Sequence, residues 1–476
     1  MTSRRDAFYA ERDRRTRQYG ATDDALERPI LIMVDPDAAA TRAGQIATLA
    51  LVNMAARVHR RIALIIPGVP LIARSLVPAA DLQSAAIGIA RAINPVLDLY
   101  LEPNIEGCDF VARIGLGTEL PSSLDAYLDW HGGLGVLATS PIPGPTHDPA
   151  SRFGAATAAV LGAVALFRLG HGQAVHPARL NPLDFTTGAA AGTRDHTGPI
   201  DVGDVLVVGA GAVATALLYW ARELGTSGGW DIVDGDIAKL HNTNRCLTMT
   251  AADAGWPNGE PTTTPVAKAA TAARAIGARA HPQWYDHWQP QHEARHDLVL
   301  PLANGRSVRT LIAQRGEPLL LHATTSSNWT AELHRHRPDH DDCPACRIPD
   351  TARPQMTCST GPAVPEEPDS PDAALPFLSA GAGLLLAAAL ADLPAAAALE
   401  HPVNHWQLDL TLTGRLLRPL RHPPRDGCRH IQPRRVRQAF QSTESRRWDH
   451  LDRYGVVQDA TALTGVDVPE GHRHEA

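Results

Sequence analysis

Short apolar runs, each closed by polar or glycine-rich residues, punctuate this chain. The clearest is DVLVV at 204–208, followed by Gly209-Ala-Gly211-Ala-Val-Ala214 and the helical pattern ATALLYWAREL. A second run, WDIVD at 230–234, completes a strand–glycine turn–helix–strand unit. That order predicts a nucleotide-binding α/β domain. The glycines let the backbone approach a phosphate, and the helix N-terminus offers free N–H groups and a positive dipole end. A further strand is expected in HDLVLPLANGRSVRTLI at 296–312. The most apolar stretch, LPFLSAGAGLLLAAALADLPAAAAL at 375–399, carries Asp392 and Pro394. These interruptions predict a buried core helix rather than a membrane span.

Composition narrows the class without naming it. A chain of 476 residues favours more than one domain, and 44% hydrophobic with 20% charged residues is a globular balance. The formal charge of −7 and the lack of a long basic run give no reason to expect nucleic acid. The charged N-terminus MTSRRDAFYAERDRRTRQYG has no apolar core, so a cytoplasmic protein with no membrane association is expected. Six cysteines, two of them as Cys343-Pro-Ala-Cys346, suggest metal or thiol chemistry rather than a disulfide framework.

The polar residues after the second strand refine the reading. Asp234 lies 25 residues beyond Gly209, near the roughly 20-residue spacing at which a ribose-binding acid follows a dinucleotide turn, so a dehydrogenase fits this much. The continuation DGDIAKLHNTNR fits a triphosphate better. Arg245 offers a planar fork for phosphate oxygens, and Lys268, opening VAKAATAARAI, offers a compact cation. GAGAVA, DGDIAKLHNTNR and VAKAATAARAI together resemble the adenylation domain of the ubiquitin-activating superfamily, which includes the ThiF-, MoeB- and HesA-like enzymes. The resemblance implies that Gly209 and Gly211 shape the nucleotide turn and that Asp234 takes the ATP ribose. It further implies that Asn242, Arg245 and Lys268 contact phosphates, with Asp236 and Asn304 beside them. One position departs from the family: Ala303 stands where relatives carry an acid that helps hold Mg²⁺. Asp236 or water could compensate, or turnover could be slow.

The N-terminal half resembles a worn copy of the same domain. Its strand ILIMVD ends in Pro36-Asp37 with no glycines, and RIALIIPGVP has Pro67 and Val69 in place of the acids. RAINPVLDLYLE at 91–102 matches the family's helix end and third strand. The expected architecture is therefore α/β: two tandem Rossmann-like ThiF/MoeB folds forming a pseudo-dimer, the second with a zinc knuckle. The boundaries read as an inactive domain at 1–185, an active domain at 186–445 and a tail at 446–476. By resemblance, the charged N-terminal helix lends an arginine to the other half's ATP, with Arg14 and Arg17 as candidates; a solvated basic helix is the alternative.

Cys343, Cys346 and a distant Cys428/His430 pair suit tetrahedral Zn²⁺. His340 or His422 could replace His430, and a redox pair is the rival reading. Cys358, in a Pro/Ser/Thr-rich segment, falls where thioester-forming relatives place their nucleophile, whereas Cys246 adjoins Arg245 and Cys108 reads as buried. His334, His336 and His340 read as a solvated loop, with adventitious metal binding as the alternative, and TTSSNW at 324–329 as a strand end near the nucleotide. The expected activity is ATP- and Mg²⁺-dependent adenylation of the C-terminal carboxylate of a ubiquitin-like protein. Thioester formation on Cys358 and transfer to a conjugating protein would follow. The alternatives are adenylation of a sulfur carrier or peptide in biosynthesis, and a nucleotide-binding scaffold without turnover. A carrier with a flexible tail is the implied partner, and the chain is either a pseudo-dimeric monomer or a homodimer.

Overall fold

The computed structural model describes residues 3–17, 21–101, 109–117, 120–142, 148–256, 264–291, 296–347 (apart from 316, 318, 327 and 339), 375–393, 402–413 and 416–430. Cys358, Cys108 and the 446–476 tail lie outside the described residues.

The first sheet is built from β1 (Ile30–Val34), β2 (Arg61–Ile65), β3 (Asp98–Leu101), β4 (Ala112–Leu116), β5 (Ala126–His131), β6 (Leu134–Ala138), β7 (Ala178–Asn181) and β8 (Thr186–Thr187). The second uses β9 (Ile200–Val208), β10 (Thr226–Val233), β11 (Arg279–His281), β12 (Leu298–Pro301), β13 (Leu320–Thr325), β14 (Thr330–His336), β15 (His405–Asp409) and β16 (Leu417–Leu420). Their orders are β3-β2-β1-β4-β5-β6-β7-β8 and β11-β10-β9-β12-β13-β14-β15-β16. In each sheet the first five strands pair in parallel and the last three turn antiparallel. Equal order and equal direction establish two tandem copies of one Rossmann-like fold.

The parallel strands read as continuous apolar runs because helices cover both faces, as in ILIMV and DVLVV. Each copy also places a long apolar helix after its sixth strand, Arg152–Gly170 in the first and Pro376–Asp392 in the second. Both are apolar all round, as core helices are. Arg152–Gly170 is the one helix among the described residues long and apolar enough to cross a membrane, and nearly all of it is buried within the protein. These helices pack with Arg42–Val58 and Ala212–Leu224 into one core shared by the two copies. Within the second copy, Gly383 lets Pro376–Asp392 approach Ala212–Leu224 closely, since a Cβ there would lie 2.6 Å from the Leu217 backbone nitrogen.

Polar ties reinforce the joint. Arg57, fully buried on helix Arg42–Val58, donates to the carbonyls of Thr243, Leu247 and Met249 in the other copy. Asn53 supports it, accepting from Arg57 Nε at 2.8 Å and donating to the Leu247 carbonyl at 3.1 Å. The N-terminal helix Arg4–Arg12 belongs to the first copy in sequence, yet its Phe8 and Tyr9 pack on Leu240, Ala251 and Trp256 of the second.

Candidate nucleotide site and metal centre

In the second copy the strand order reverses between β9 and β12, which opens a crevice at the carboxyl ends of the strands. The chain leaves β9 through Gly209, at φ +98°, and enters helix Ala212–Leu224 with Gly211 as its N-cap. Gly209 has no substitute. Its positive φ disfavours side chains, and a Cβ would sit 2.7 Å from the Ala303 nitrogen. Space is open around Gly211, and no side chain caps the helix, so its first N–H groups are not taken up by a capping side chain.

Asp234, at the end of β10, accepts from the Ala210 N–H at 2.6 Å and the Asp236 N–H at 2.8 Å. Its carboxylate therefore fastens the glycine turn to the acidic loop. Burial raises its pKa, opposed by nearby Lys268 and the two backbone N–H groups. Asp236, also buried, binds Lys268 Nζ at 2.6 Å, with Lys239 Nζ at 4.0 Å. The sequence expectation put Asn242 and Arg245 on phosphates. Here the Asn242 side-chain oxygen accepts the Lys239 N–H at 3.0 Å, while Arg245 Nη1 donates to the His241 carbonyl at 2.8 Å and to Asn244 Oδ1 at 3.0 Å. Both residues build the loop in which they were read. Asn304 is exposed beyond β12, and Ala303 lies against Gly209.

The N-terminal segment closes over this loop. His241 pairs with Glu11 at 2.9 Å, and Asn244 donates to Thr16 Oγ1 at 3.1 Å. Arg14 is half-buried there and its Nε lacks a hydrogen-bond partner. Arg17 instead pairs with Asp23 at 2.9 Å. Glu11, Thr16 and His241 went unremarked in the sequence, because only the tertiary fold brings an N-terminal helix onto a loop more than 200 residues away.

At the matching switch point of the first copy, between β1 and β4, an acid takes the place of the glycine turn. Asp35 follows β1, accepts the Ala38 N–H at 2.6 Å and caps the short helix Pro36–Ala39 with its own carboxylate. A negative charge thus stands where the second copy exposes N–H groups.

Four groups converge beyond β14 and β16. Cys346 Sγ lies 3.3 Å from His430 Nδ1 and 3.6 Å from Cys428 Sγ; Cys343 Sγ lies 3.5 Å from His430 Nδ1 and 3.6 Å from Cys428 Sγ. A tetrahedron with Zn–S of about 2.3 Å has S–S edges of about 3.8 Å, so this donor set fits Zn²⁺.

One expectation is corrected. His334 and His336 are not in a solvated loop but lie buried on β14. With His322 and His405 they form a stack whose neighbouring rings lie 4.3–4.9 Å apart. Burial, followed by neighbouring positive groups, holds His322 and His334 neutral, well below the usual histidine range. Alternation along β14 carries the reason. Glu332, His334 and His336 share one face, while Ala331 and Leu333 turn to the apolar core on the other. Cys246 is buried beside Ala238 and Met249.

No family model matches the chain. It is 27% identical over 334 residues to the uncharacterized protein y4jF of Sinorhizobium fredii. The alignment takes in 68% of this chain and 60% of that protein, less than two thirds of its length. Among solved structures, E. coli MccB aligns with a TM-score of 0.34 at 12% identity, over 49% of this chain and 66% of MccB. The microcin C7 biosynthetic enzyme MccB in complex with N-formylated MccA gives 0.34 and 12%, over 48% and 68%. E. coli MccB with ATP gives 0.33 and 11%, over 48% and 66%.

Proposed function

We propose that the second copy binds ATP and adenylates the C-terminal carboxylate of a peptide or small carrier protein. The observation that carries this is the grouping at one switch point of an uncapped helix N-terminus behind Gly209 and Gly211, Asp234, the buried Lys268–Asp236 pair and the loop holding Arg245. A substrate carboxylate oxygen attacks the α-phosphorus, the bond to the pyrophosphate oxygen breaks, and pyrophosphate leaves with the displaced electron pair. Fixed cations and backbone N–H groups stabilise the added negative charge. Lys268 is the mobile cation: its Asp236 contact can be shared with a phosphate without unburying the ammonium. Asp234 is assigned to the ribose. Mg²⁺, whose usual acid is replaced by Ala303, would be held by Asp236 together with phosphates and water. Arg14 is preferred over Arg17 as the arginine from the first copy, since Arg17 is engaged by Asp23. Cys343, Cys346, Cys428 and His430 would hold a structural Zn²⁺.

A ubiquitin-like substrate, a thioester on Cys358 and a conjugating-protein acceptor form the narrower version of this reading. Pyrophosphate exchange tests both. Label exchange from pyrophosphate into ATP is expected with one acceptor class among short peptides, sulfur carriers and ubiquitin-like proteins, and its loss in Lys268→Met. A folded protein that binds ATP yet exchanges with none of them is a nucleotide-binding scaffold, and the enzymatic reading fails. A reducible carrier adduct that survives Cys358→Ala removes the thioester step.

A further inference from the structure

We infer that Glu332, His334 and His405 form a second metal site, separate from the cysteine knuckle, that takes a divalent transition metal through one carboxylate oxygen and two imidazole nitrogens. The inference stands independently of the adenylation reading.

The geometry begins with the sheet. His322, His334 and His405 face one another across β13, β14 and β15, and Glu332 stands two residues from His334 on the same face. Glu332 Oε2 lies 3.4 Å from His334 Nε2 and 3.3 Å from His405 Nε2. Tetrahedral coordination with bonds of about 2.0–2.1 Å puts neighbouring ligand atoms about 3.3–3.4 Å apart. Two imidazoles and one carboxylate leave a fourth position open, the arrangement of catalytic rather than structural zinc.

The surrounding contacts orient the ligands. Glu332 turns its other oxygen, Oε1, to Thr330 Oγ1 at 2.8 Å and Gln407 Nε2 at 3.3 Å, which leaves Oε2 for the metal. His405 Nδ1 contacts His422 Nε2 at 3.1 Å, which turns its Nε2 toward Glu332 Oε2 at 3.3 Å. Supported ligands of this kind are what a metal-binding histidine requires. Thr324 Oγ1 touches His334 Nε2 at 3.0 Å and Glu332 Oε2 at 3.4 Å, placing a hydroxyl at the mouth. Thr324, Thr330, Glu332 and Gln407 are all half-buried, which gives the metal a polar way in.

One contact must change. Arg347 Nη1 lies 3.2 Å from His334 Nδ1, so without metal the ring proton sits on Nε2. On binding, the metal takes the Nε2 lone pair, that proton moves to Nδ1, and Arg347 withdraws to Asp342, with which it is already paired. Arg347 directly follows Cys346 of the knuckle in the chain.

The test is Co²⁺ titration of the full-length protein whose knuckle is already filled with Zn²⁺. One equivalent of Co²⁺ is expected to bind without a sulfur-to-cobalt charge-transfer band, and X-ray absorption should show only nitrogen and oxygen neighbours. His334→Gln/His405→Gln should lose that equivalent while keeping its zinc. No bound Co²⁺, or sulfur in its shell, overturns the inference in the wild-type protein whether or not the variant folds. Undiminished binding by a folded variant overturns it as well.

Discussion

Lys268 and Asp236 are worth more to each other than an exposed ion pair, because neither keeps its water. Removing one partner of a buried pair costs about 3–5 kcal/mol, most of it from the charge left behind. Lys268→Met is therefore expected to lower the unfolding free energy by about 3 kcal/mol, the lower end because Lys239 stands 4.0 Å from Asp236. Lys268→Met/Asp236→Asn should recover most of that loss in urea denaturation and still fail in pyrophosphate exchange. Recovery of exchange in the double variant would take Lys268 out of the nucleotide site. Asp231 supplies a pH test of the neighbouring strand. Burial alone would raise its pKa, but Arg279 at 2.6 Å, His281 at 2.7 Å and His296 at 2.9 Å outweigh it and hold the carboxylate well below its usual range. A depressed carboxylate stabilises the fold above its unfolded pKa, about 3.9, and loses that contribution as pH falls through the folded value. Asp231→Asn should thus be less stable than wild type at pH 7, with the gap narrowing steadily below about pH 4. A gap that stays constant on acidification would show that the ion pairs contribute nothing.

Among the elements, helix Arg42–Val58 does what no sequence pattern announced. Its composition reads as an ordinary apolar helix of the first copy, yet Arg57 and Asn53 hold the backbone of the other copy's 243–249 loop, which overlaps the Asn242–Arg245 turn. Burial pushes the Arg57 guanidinium down to about 9, only partly offset by Cys246, Tyr219 and Asp253; its hydrogen-bond partners across the joint are carbonyl oxygens. Each buried carbonyl left unsatisfied costs about 1–3 kcal/mol, so Arg57→Met should destabilise the protein by at least about 3 kcal/mol. It should also weaken ATP binding more than the conservative Arg57→Lys does, measured by calorimetry on protein shown to be folded. Equal ATP affinity in all three proteins would reduce Arg57 to a packing residue. The glycine turn, the acids and the C-x-x-C pair were legible in the sequence because each is local, spanning a few residues of one turn. Helix Arg42–Val58 and the histidine face were not. Their meaning depends on which residues arrive from elsewhere: Leu247 for Arg57, and His405 and Arg347 for His334. HRHRP reads as a polar loop until β14 alternates it, one face to the core and the other to Glu332.

At the scale of the whole molecule, the repeat was legible but the joint was not. Apolar runs separated by helical spacing give the strand order, since parallel neighbours need crossovers and few topologies satisfy them. How two copies bury against each other depends on helix faces that are apolar all round, and such faces carry no direction. The structure resolves this into one continuous core. Phe167, on the first copy's long helix, lies edge-on to Trp329 at 5.3 Å and beside Phe377 at 5.6 Å, both in the second copy. Two domains with separate cores unfold in separate steps, whereas a shared core makes each copy's stability conditional on the other's. Phe167→Ala removes a buried aromatic at the joint and should cost about 3–5 kcal/mol. In scanning calorimetry the wild type is expected to give one transition, and the variant one transition at lower temperature. ATP, which we propose binds to the second copy alone, should raise that same transition, because any ligand of the native state shifts the equilibrium of the unit that unfolds with it. A probe in the first copy, such as buried Trp130, should report the same ATP-induced shift by fluorescence. Two resolved transitions, with Phe167→Ala moving only one and ATP only the other, would make the copies independent domains. The first copy's hold on the nucleotide loop would then have to be local rather than a property of the common core.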